Sequence, residues 1–331
     1  MSLPASAKLR VMLTISAGFT QEMAAEVVAA TPEAEFVLAE DNLEAILAAV
    51  EGINGMVNVP RHLFSDEVLE KAGDSLCWIH IGGAGVEEFI IPSLVESDIV
   101  LTNGRAIQGP EVADHALALL LALTRDLRFH LLGKTDQQMK RPIELRGKRA
   151  VVIGGGGLGM LIVERAAAFG MTLDVVDPNY MQMLSIIDRQ YTPDQYLEPF
   201  PDADVVFMAA PYTFVEGKMK SERMMDDAAF GAMKQDAYFI NISRGKIVDT
   251  DALTRAMQLG RLAGAGLDVT DPEPLPEDHP LWAMDNVIIT PHIAGLSEHN
   301  RRRSFDLIKK NLDRFSRGLP LMNVVNKRLG Y

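Results

Sequence analysis

Residues 151–160 read VVIGGGGLGM, and no other stretch limits the fold as tightly. An apolar strand runs straight into four glycines, and a helical pattern opens at once behind them. Gly154, Gly156 and Gly159 fit the spacing G-x-G-x-x-G. That spacing serves a tight turn, a close approach of backbone to a pyrophosphate, and close packing of a helix on a strand. The phosphates would sit at a helix N-terminus, where free N–H groups and the helix dipole favour negative charge. Glycine spacing alone also fits a flexible turn. Asp177, which closes the next strand, adds weight to the first reading. An acid about 20 residues on can accept from the ribose hydroxyls of NAD, and it repels a 2′-phosphate. NAD is therefore expected as cofactor and favoured over NADP. The alternative for Asp177 is a turn starter before Pro178 and Asn179.

The turn lies within a regular alternation. Short apolar runs at 9–15, 35–39, 53–59, 77–81 and 98–103 are separated by helical patterns, among them 21–30 and DNLEAILAAV. A long helical pattern fills 109–132, and a polar stretch with a proline, 133–148, reads as loop. A second series of strands follows at 149–154, 172–177, 203–210, 237–243, 264–269 and 286–291, and a last helix at 297–317. Strands alternating with helices imply parallel sheets covered on both faces. At 331 residues the chain exceeds the size at which one core stops growing. The expected fold class is α/β, with two doubly wound parallel-sheet domains of Rossmann and flavodoxin type. The first is discontinuous, 1–104 with 297–331, and 105–296 binds NAD.

Composition removes several function classes. The net charge is -13, from 32 basic and 45 acidic residues, which argues against nucleic acid and anionic membrane as partners. The most apolar run, ALALLLALT, is too short to cross a bilayer. Cys77 is the only cysteine, so no internal disulfide can form. The first sixteen residues read better as a strand than as a signal peptide. A cytoplasmic protein is expected. No group of His, Cys and acids has metal-ligand spacing, so no metal is expected.

In open α/β sheets ligands bind outside the carboxyl ends of the strands. Three chemically capable residues stand at such ends in the second half. Arg244 follows FINIS, Glu273 lies in the loop after GAGLDV, and His292 follows NVIITP. Singly each has a plain alternative: a solvated strand end, a loop carboxylate between prolines, and a capping histidine. His62, His80, His115, His130, His279 and His299 are read as structural or surface residues.

INISRGKIVD, GAGLDVTDPEPLPEDHPLW and NVIITPHIAG, in this order, resemble the D-isomer-specific 2-hydroxyacid dehydrogenase family. GGAGVEEF resembles its substrate-binding segment, and VADHALALLLALTR the start of its interdomain helix. The resemblance runs from about residue 76 to the end. It implies reduction of a 2-oxo acid by NAD(P)H, or the reverse, with glyoxylate or hydroxypyruvate as the expected type of substrate. Phosphoglycerate dehydrogenase is the narrower alternative, and a non-catalytic NAD-sensing scaffold the alternative from another class.

By the same resemblance His292 is the acid/base, Glu273 orients it, and Arg244 grips the substrate carboxylate. The backbone N–H groups of Ala84, Gly85 and Val86 hold the other side of that carboxylate. Cofactor contacts fall to Gly154, Gly156, Leu158, Gly159, Asp177, Pro178, Ala210, Pro211, Ile242, Ser243, Asp268 and Gly295. Asp268 is expected near the nicotinamide and Pro211 beside the adenosine. A homodimer joined largely through the nucleotide domain is implied, with an interdomain cleft that closes on substrate. Tyr212 and Lys218, and Arg105, Gln108 and Asp114, depart from the family's usual text. Arg61 is a candidate for a second anionic group or a solvated loop residue.

Overall fold

The computed structural model describes residues 9–16, 18–131, 142–179, 185–215, 218–219 and 221–331. The chain divides into two compact units, one made of Met1–Ile107, Phe214–Gly217 and Ser297–Tyr331, the other of Gln108–Thr213 and Lys218–Leu296.

The first unit is built on β1 (Arg10–Thr14), β2 (Glu35–Ala39), β3 (Gly55–Val57), β4 (Trp78–His80) and β5 (Val100–Thr102). They form one parallel sheet in the order β2-β1-β3-β4-β5. Between them run α1 (Gln21–Ala30), α2 (Leu43–Ala49), α3 (Asp66–Ala72) and α4 (Pro92–Glu96). Local chemistry sets where these helices start. Asn42 Oδ1 accepts from the Ala45 N–H (2.9 Å), and Thr20 Oγ1 from that of Met23 (3.4 Å). Each satisfies an amide that has no partner inside its helix.

The second unit opens with α5 (Gly109–Thr124) and α6 (Leu127–Leu131). The sequence pattern reads as one helix through 132. It breaks at Asp126, whose φ of 52° is left-handed, and Leu132 lies outside the described residues together with most of the loop expected after it. The sheet comprises β6 (Arg149–Ile153), β7 (Thr172–Val176), β8 (Arg189–Tyr191), β9 (Val205–Met208), β12 (Ala237–Asn241), β13 (Leu262–Leu267) and β14 (Val287–Ile289). The two-residue strands β10 (Phe214–Val215) and β11 (Lys218–Met219) belong to neither large sheet. α7 (Gly157–Ala168), α8 (Asp227–Ala232) and α9 (Thr250–Gln258) complete this unit, and α10 (Asn300–Ser316) returns to the first.

The order β14-β13-β12-β9-β6-β7-β8 is fully parallel and reverses direction between β6 and β9. Chains leaving those two strands diverge to opposite faces, which opens a crevice at their carboxyl ends. Both faces are buried, by Val151, Val206 and Phe239 on one side and Val152, Phe207 and Ile240 on the other. This is why the strands read as continuous apolar runs. The α/β class with two doubly wound parallel sheets agrees with the expectation. β8 goes beyond the expected strands, because Arg-Gln-Tyr carries no apolar signal.

Candidate active site

Every group here lies at the carboxyl edge of one sheet or the other. At the switch point Gly154 follows β6 with φ 97°, and a Cβ there would come within 2.7 Å of the Ala210 backbone, which follows β9. Only glycine lets the two strand ends approach this closely. A Cβ at Gly159 would collide with the Gly154 carbonyl, so α7 packs hard against the turn. At Gly156 the opposite holds, since a Cβ would meet nothing within 4 Å. Gly156 also caps α7 without a side-chain hydrogen bond. Open space above an uncapped helix N-terminus suits a pyrophosphate.

Asp177 is buried, and its Oδ2 accepts from the Gly155 N–H (2.8 Å) while Oδ1 accepts from the Asn179 N–H (2.8 Å) and Nδ2 (3.1 Å). The carboxylate thus ties β7 to the glycine turn and keeps lone pairs for a ribose. Pro178 beside it is exposed, and Leu158 packs half-buried on the core. Ser243 Oγ donates to the Ala210 carbonyl, which joins the ends of β12 and β9. Pro211 is exposed, and Ile242 is buried in the core below. The residues expected to hold NAD therefore offer an open turn, a bare helix end and a placed acid, and they fit a dinucleotide.

β12, β13 and β14 are neighbours, and each delivers one reactive side chain. Arg244 leaves β12 half-buried, and one guanidinium nitrogen donates to the Ser243 carbonyl (2.8 Å). Asn241, fully buried, fixes this turn through the Arg244 carbonyl (3.1 Å) and the Ser243 N–H (3.1 Å). A Cβ at Gly245 would collide with the Thr270 carbonyl, so the Arg244 turn and the loop carrying Glu273 press together. Glu273 Oε1 lies 2.6 Å from His292 Nδ1. Since a carboxylate only accepts, Nδ1 carries the proton and Nε2 is left for a substrate.

His292 adopts φ 53°, an uncommon backbone for a residue with a Cβ. Asp268 holds it there. Its carbonyl accepts from the His292 N–H (2.9 Å), and its carboxylate from the N–H groups of Ile293 (3.0 Å) and Ala294 (2.9 Å). The Thr290 hydroxyl donates to the same carboxylate (2.6 Å), and His115 Nε2 lies 2.9 Å from that hydroxyl. Asp268, only 2% exposed, is thus the anchor of the His292 loop. Gly295, three residues on, is packed by the Gln108 side chain.

In the first unit the turn after β4 carries Ala84, Gly85 and Val86. The Gly83 carbonyl accepts from the Gly104 N–H (2.8 Å) and the Ala84 carbonyl from Asn103 Nδ2 (2.7 Å). Among the described residues nothing accepts from the N–H groups of Gly83 to Val86.

The family model described as D-isomer specific 2-hydroxyacid dehydrogenase, NAD binding domain, matches residues 117–294. The chain belongs to this family. A glyoxylate reductase of Pyrococcus furiosus is 30% identical over 298 residues, 86% of each chain. A D-3-phosphoglycerate dehydrogenase of Methanocaldococcus jannaschii is 31% identical over 264 residues, 78% of this chain and 49% of that protein. The solved D-lactate dehydrogenase of Aquifex aeolicus, complexed with NAD and lactic acid, superposes with a TM-score of 0.75 at 25% identity, covering 93% of this chain and 96% of that one. The resemblance noted in the sequence is thereby established, and residues 117–294 are an NAD binding domain of an oxidoreductase.

Several residues of this dehydrogenase escaped the sequence reading. Asn241 signalled itself as a polar residue in an apolar strand. Thr290 and His115 gave no local signal, because their contact joins positions far apart in the chain. Among the departures from family text, Asp114 pairs with Arg165 (2.5 Å), Arg61 with Glu88 (3.5 Å), and Tyr212 is buried. The Lys218 side chain lies outside the described residues. A cavity of about 210 Å³ at the amino ends of β6, β7, β9 and β12 is lined by Asp204 and by Lys148 and Lys234, which both pair with it, and lies at the edge opposite these residues. No helix among the described residues is long and apolar enough to cross a membrane.

Proposed function

We propose that the chain reduces a small 2-oxo acid of the glyoxylate or hydroxypyruvate type to the D-2-hydroxy acid, using NADH, with His292 as proton donor. The observation that carries this reading is the 2.6 Å contact between His292 Nδ1 and Glu273 Oε1. It fixes the ring, directs Nε2 outward and stabilises the imidazolium, as the carboxylate of a hydrolytic triad does. NADH, when bound, supplies the hydride to the carbonyl carbon. His292 gives its Nε2 proton to the carbonyl oxygen, and the neutral ring is reprotonated from solvent, which its 50% exposed side chain meets directly. Arg244 binds the substrate carboxylate through its planar fork. The unbonded amides of Ala84, Gly85 and Val86 are a further carboxylate contact. Gly154, Gly156 and Gly159 seat the pyrophosphate, and Asp177 takes the ribose and selects NAD over NADP. Asp268 and Gly295 border the nicotinamide. Leu158, Pro178, Ala210, Pro211, Ile242 and Ser243 line the rest of the cofactor path.

Arg61 pairs with Glu88 at 3.5 Å with both side chains exposed, which fits its reading as a solvated loop residue. A cytoplasmic homodimer completes the proposal. Its support is the acidic, single-cysteine composition and the family's pattern. A panel of 2-oxo acids with NADH and with NADPH, followed at the nicotinamide absorbance, tests it. Turnover of a two- or three-carbon 2-oxo acid with NADH is the expected result. Flat traces for every acid with both cofactors would favour a non-catalytic scaffold.

A further inference from the structure

We propose that Asn323, in the C-terminal tail, is a positioning residue for substrate, acting through Asn103 on the amide-lined turn Ala84–Val86. The inference rests on the reading of that turn as a carboxylate contact.

The peptide unit is planar and trans, so fixing the carbonyl of one residue fixes the direction of the next residue's N–H. The Gly83 carbonyl is held by Gly104 and the Ala84 carbonyl by Asn103 Nδ2. Those two bonds dictate where the Ala84 and Gly85 N–H groups point, which is opposite to the held carbonyls. A row of amides aimed one way is an anion-binding concavity. Asn103 therefore sets the direction of the Gly85 N–H, and whatever fixes Asn103 fixes the turn.

Asn103 is 2% exposed, and Asn323 grips it from two sides. The Asn103 N–H donates to the Asn323 carbonyl (3.2 Å). Asn323 Nδ2 donates to the carbonyls of Asn103 (3.2 Å) and Arg105 (2.8 Å). Both amide hydrogens are thus used on the segment that carries the Asn103 side chain. Asn323 has φ 54°, a region that asparagine tolerates better than most residues with a Cβ.

The tail is itself anchored on each side of Asn323. Asn311, fully buried on α10, reads the Met322 peptide in both directions, with Nδ2 donating to the carbonyl (3.1 Å) and Oδ1 accepting from the N–H (2.8 Å). Beyond it the Val325 N–H donates to the Leu101 carbonyl (2.9 Å), and Val324 bridges antiparallel to Thr102. Lys327 Nζ then binds the carbonyls of Leu94 (2.7 Å), Ser97 (2.6 Å) and Ile99 (2.9 Å). A last segment of plain structural purpose would need only this anchoring. The Asn323 amide reaches further, to the residue that aims the turn.

The test uses the full chain with NADH and oxamate, an inert anionic analogue of a 2-oxo acid. Asn323→Asp keeps size and backbone tolerance but sets carboxylate oxygens against two carbonyls. Asn323→Gly keeps the backbone conformation and removes the donors without adding charge. Both are expected to raise the oxamate inhibition constant and the KM for the 2-oxo acid about tenfold, the worth of one lost hydrogen bond. NADH affinity and kcat at saturating substrate should stay within about twofold. An unchanged oxamate constant, an equal loss of NADH affinity, or an effect confined to the Asp variant would overturn the proposal. Backbone amide resonances of wild-type protein with NADH test the underlying reading separately. Oxamate should shift Ala84 and Gly85. If they shift while both variants bind normally, the turn binds carboxylate and Asn323 does not position it. If they stay still, the reading of the turn fails first.

Discussion

His292 Nδ1 and Glu273 Oε1 meet at 2.6 Å although they leave different strands, the glutamate from the loop after β13 and the histidine from the turn after β14. The pair is held from behind by Asp268, which binds the backbone on both sides of the histidine's Cα. His292→Ala should lower kcat by about 10²–10⁴-fold, the usual contribution of general acid catalysis. Glu273→Gln keeps the shape and removes the charge, so a smaller fall in kcat is expected. Steady-state kinetics, with NADH affinity from fluorescence titration as the control, check both. NADH affinity that falls as far as kcat would refute the assignment of roles.

Gly154→Ala sets a methyl group against the Ala210 backbone, 2.7 Å away, in a residue with φ 97°. Backbone strain of this kind costs about 1–3 kcal/mol. The steric conflict lies between the two strand ends that frame the switch point, so NADH affinity should fall together with the thermal midpoint. Thermal unfolding and NADH titration read the two effects. An unchanged NADH affinity would show that the turn is not where the pyrophosphate sits.

Asp177 has two partners already, the Gly155 N–H and Asn179, and a ribose would add a third. Asp177→Ser shortens the side chain and removes the charge that repels a 2′-phosphate. The ratio of kcat/KM with NADH to that with NADPH should move toward NADPH by about tenfold or more, since one charged hydrogen bond is worth about 1.5–3 kcal/mol. A ratio that does not move would remove Asp177 from cofactor selection.

His80 is buried at the end of β4, with Nδ1 against the Thr102 hydroxyl (2.8 Å) and Nε2 without a partner among the described residues. Burial lowers its pKa to about 4 from 6.5. Above pH 6.5 the ring is neutral whether the chain is folded or not. As pH falls through 6.5 the unfolded chain binds the proton first, so stability declines until about pH 4, where the folded protein binds it too. The full loss is about 3 kcal/mol. His80→Phe should flatten this part of the acid limb, read from urea midpoints between pH 7 and pH 4. An unchanged slope would assign the acid sensitivity to other groups.

Much of this molecule is written in local order. The run VVIGGGGLGM states a strand, a turn and a helix in ten residues, because backbone freedom and hydrophobic period are properties of neighbours. β2, with its apolar run Phe-Val-Leu-Ala, and α1, capped by Thr20, follow the same logic and were read with their observed bounds. β8 was not, since Arg189 and Gln190 pair at a sheet edge and bury little. The long helical pattern from 109 hid its break at Asp126, as a single left-handed residue leaves the apolar period intact.

The sequence by itself determined the fold class and placed Arg244, Glu273 and His292 at strand ends, since each follows a strand whose pattern is plain. Only the tertiary structure decided that Asp268 clamps the His292 loop, that His115 reaches Thr290, and that Asn323 grips Asn103 from 220 residues away. The physical reason is one of range. Propensity and period act over a few residues, whereas a hydrogen bond between remote segments exists only after packing has set both backbones, and no local pattern records which donor will meet which acceptor.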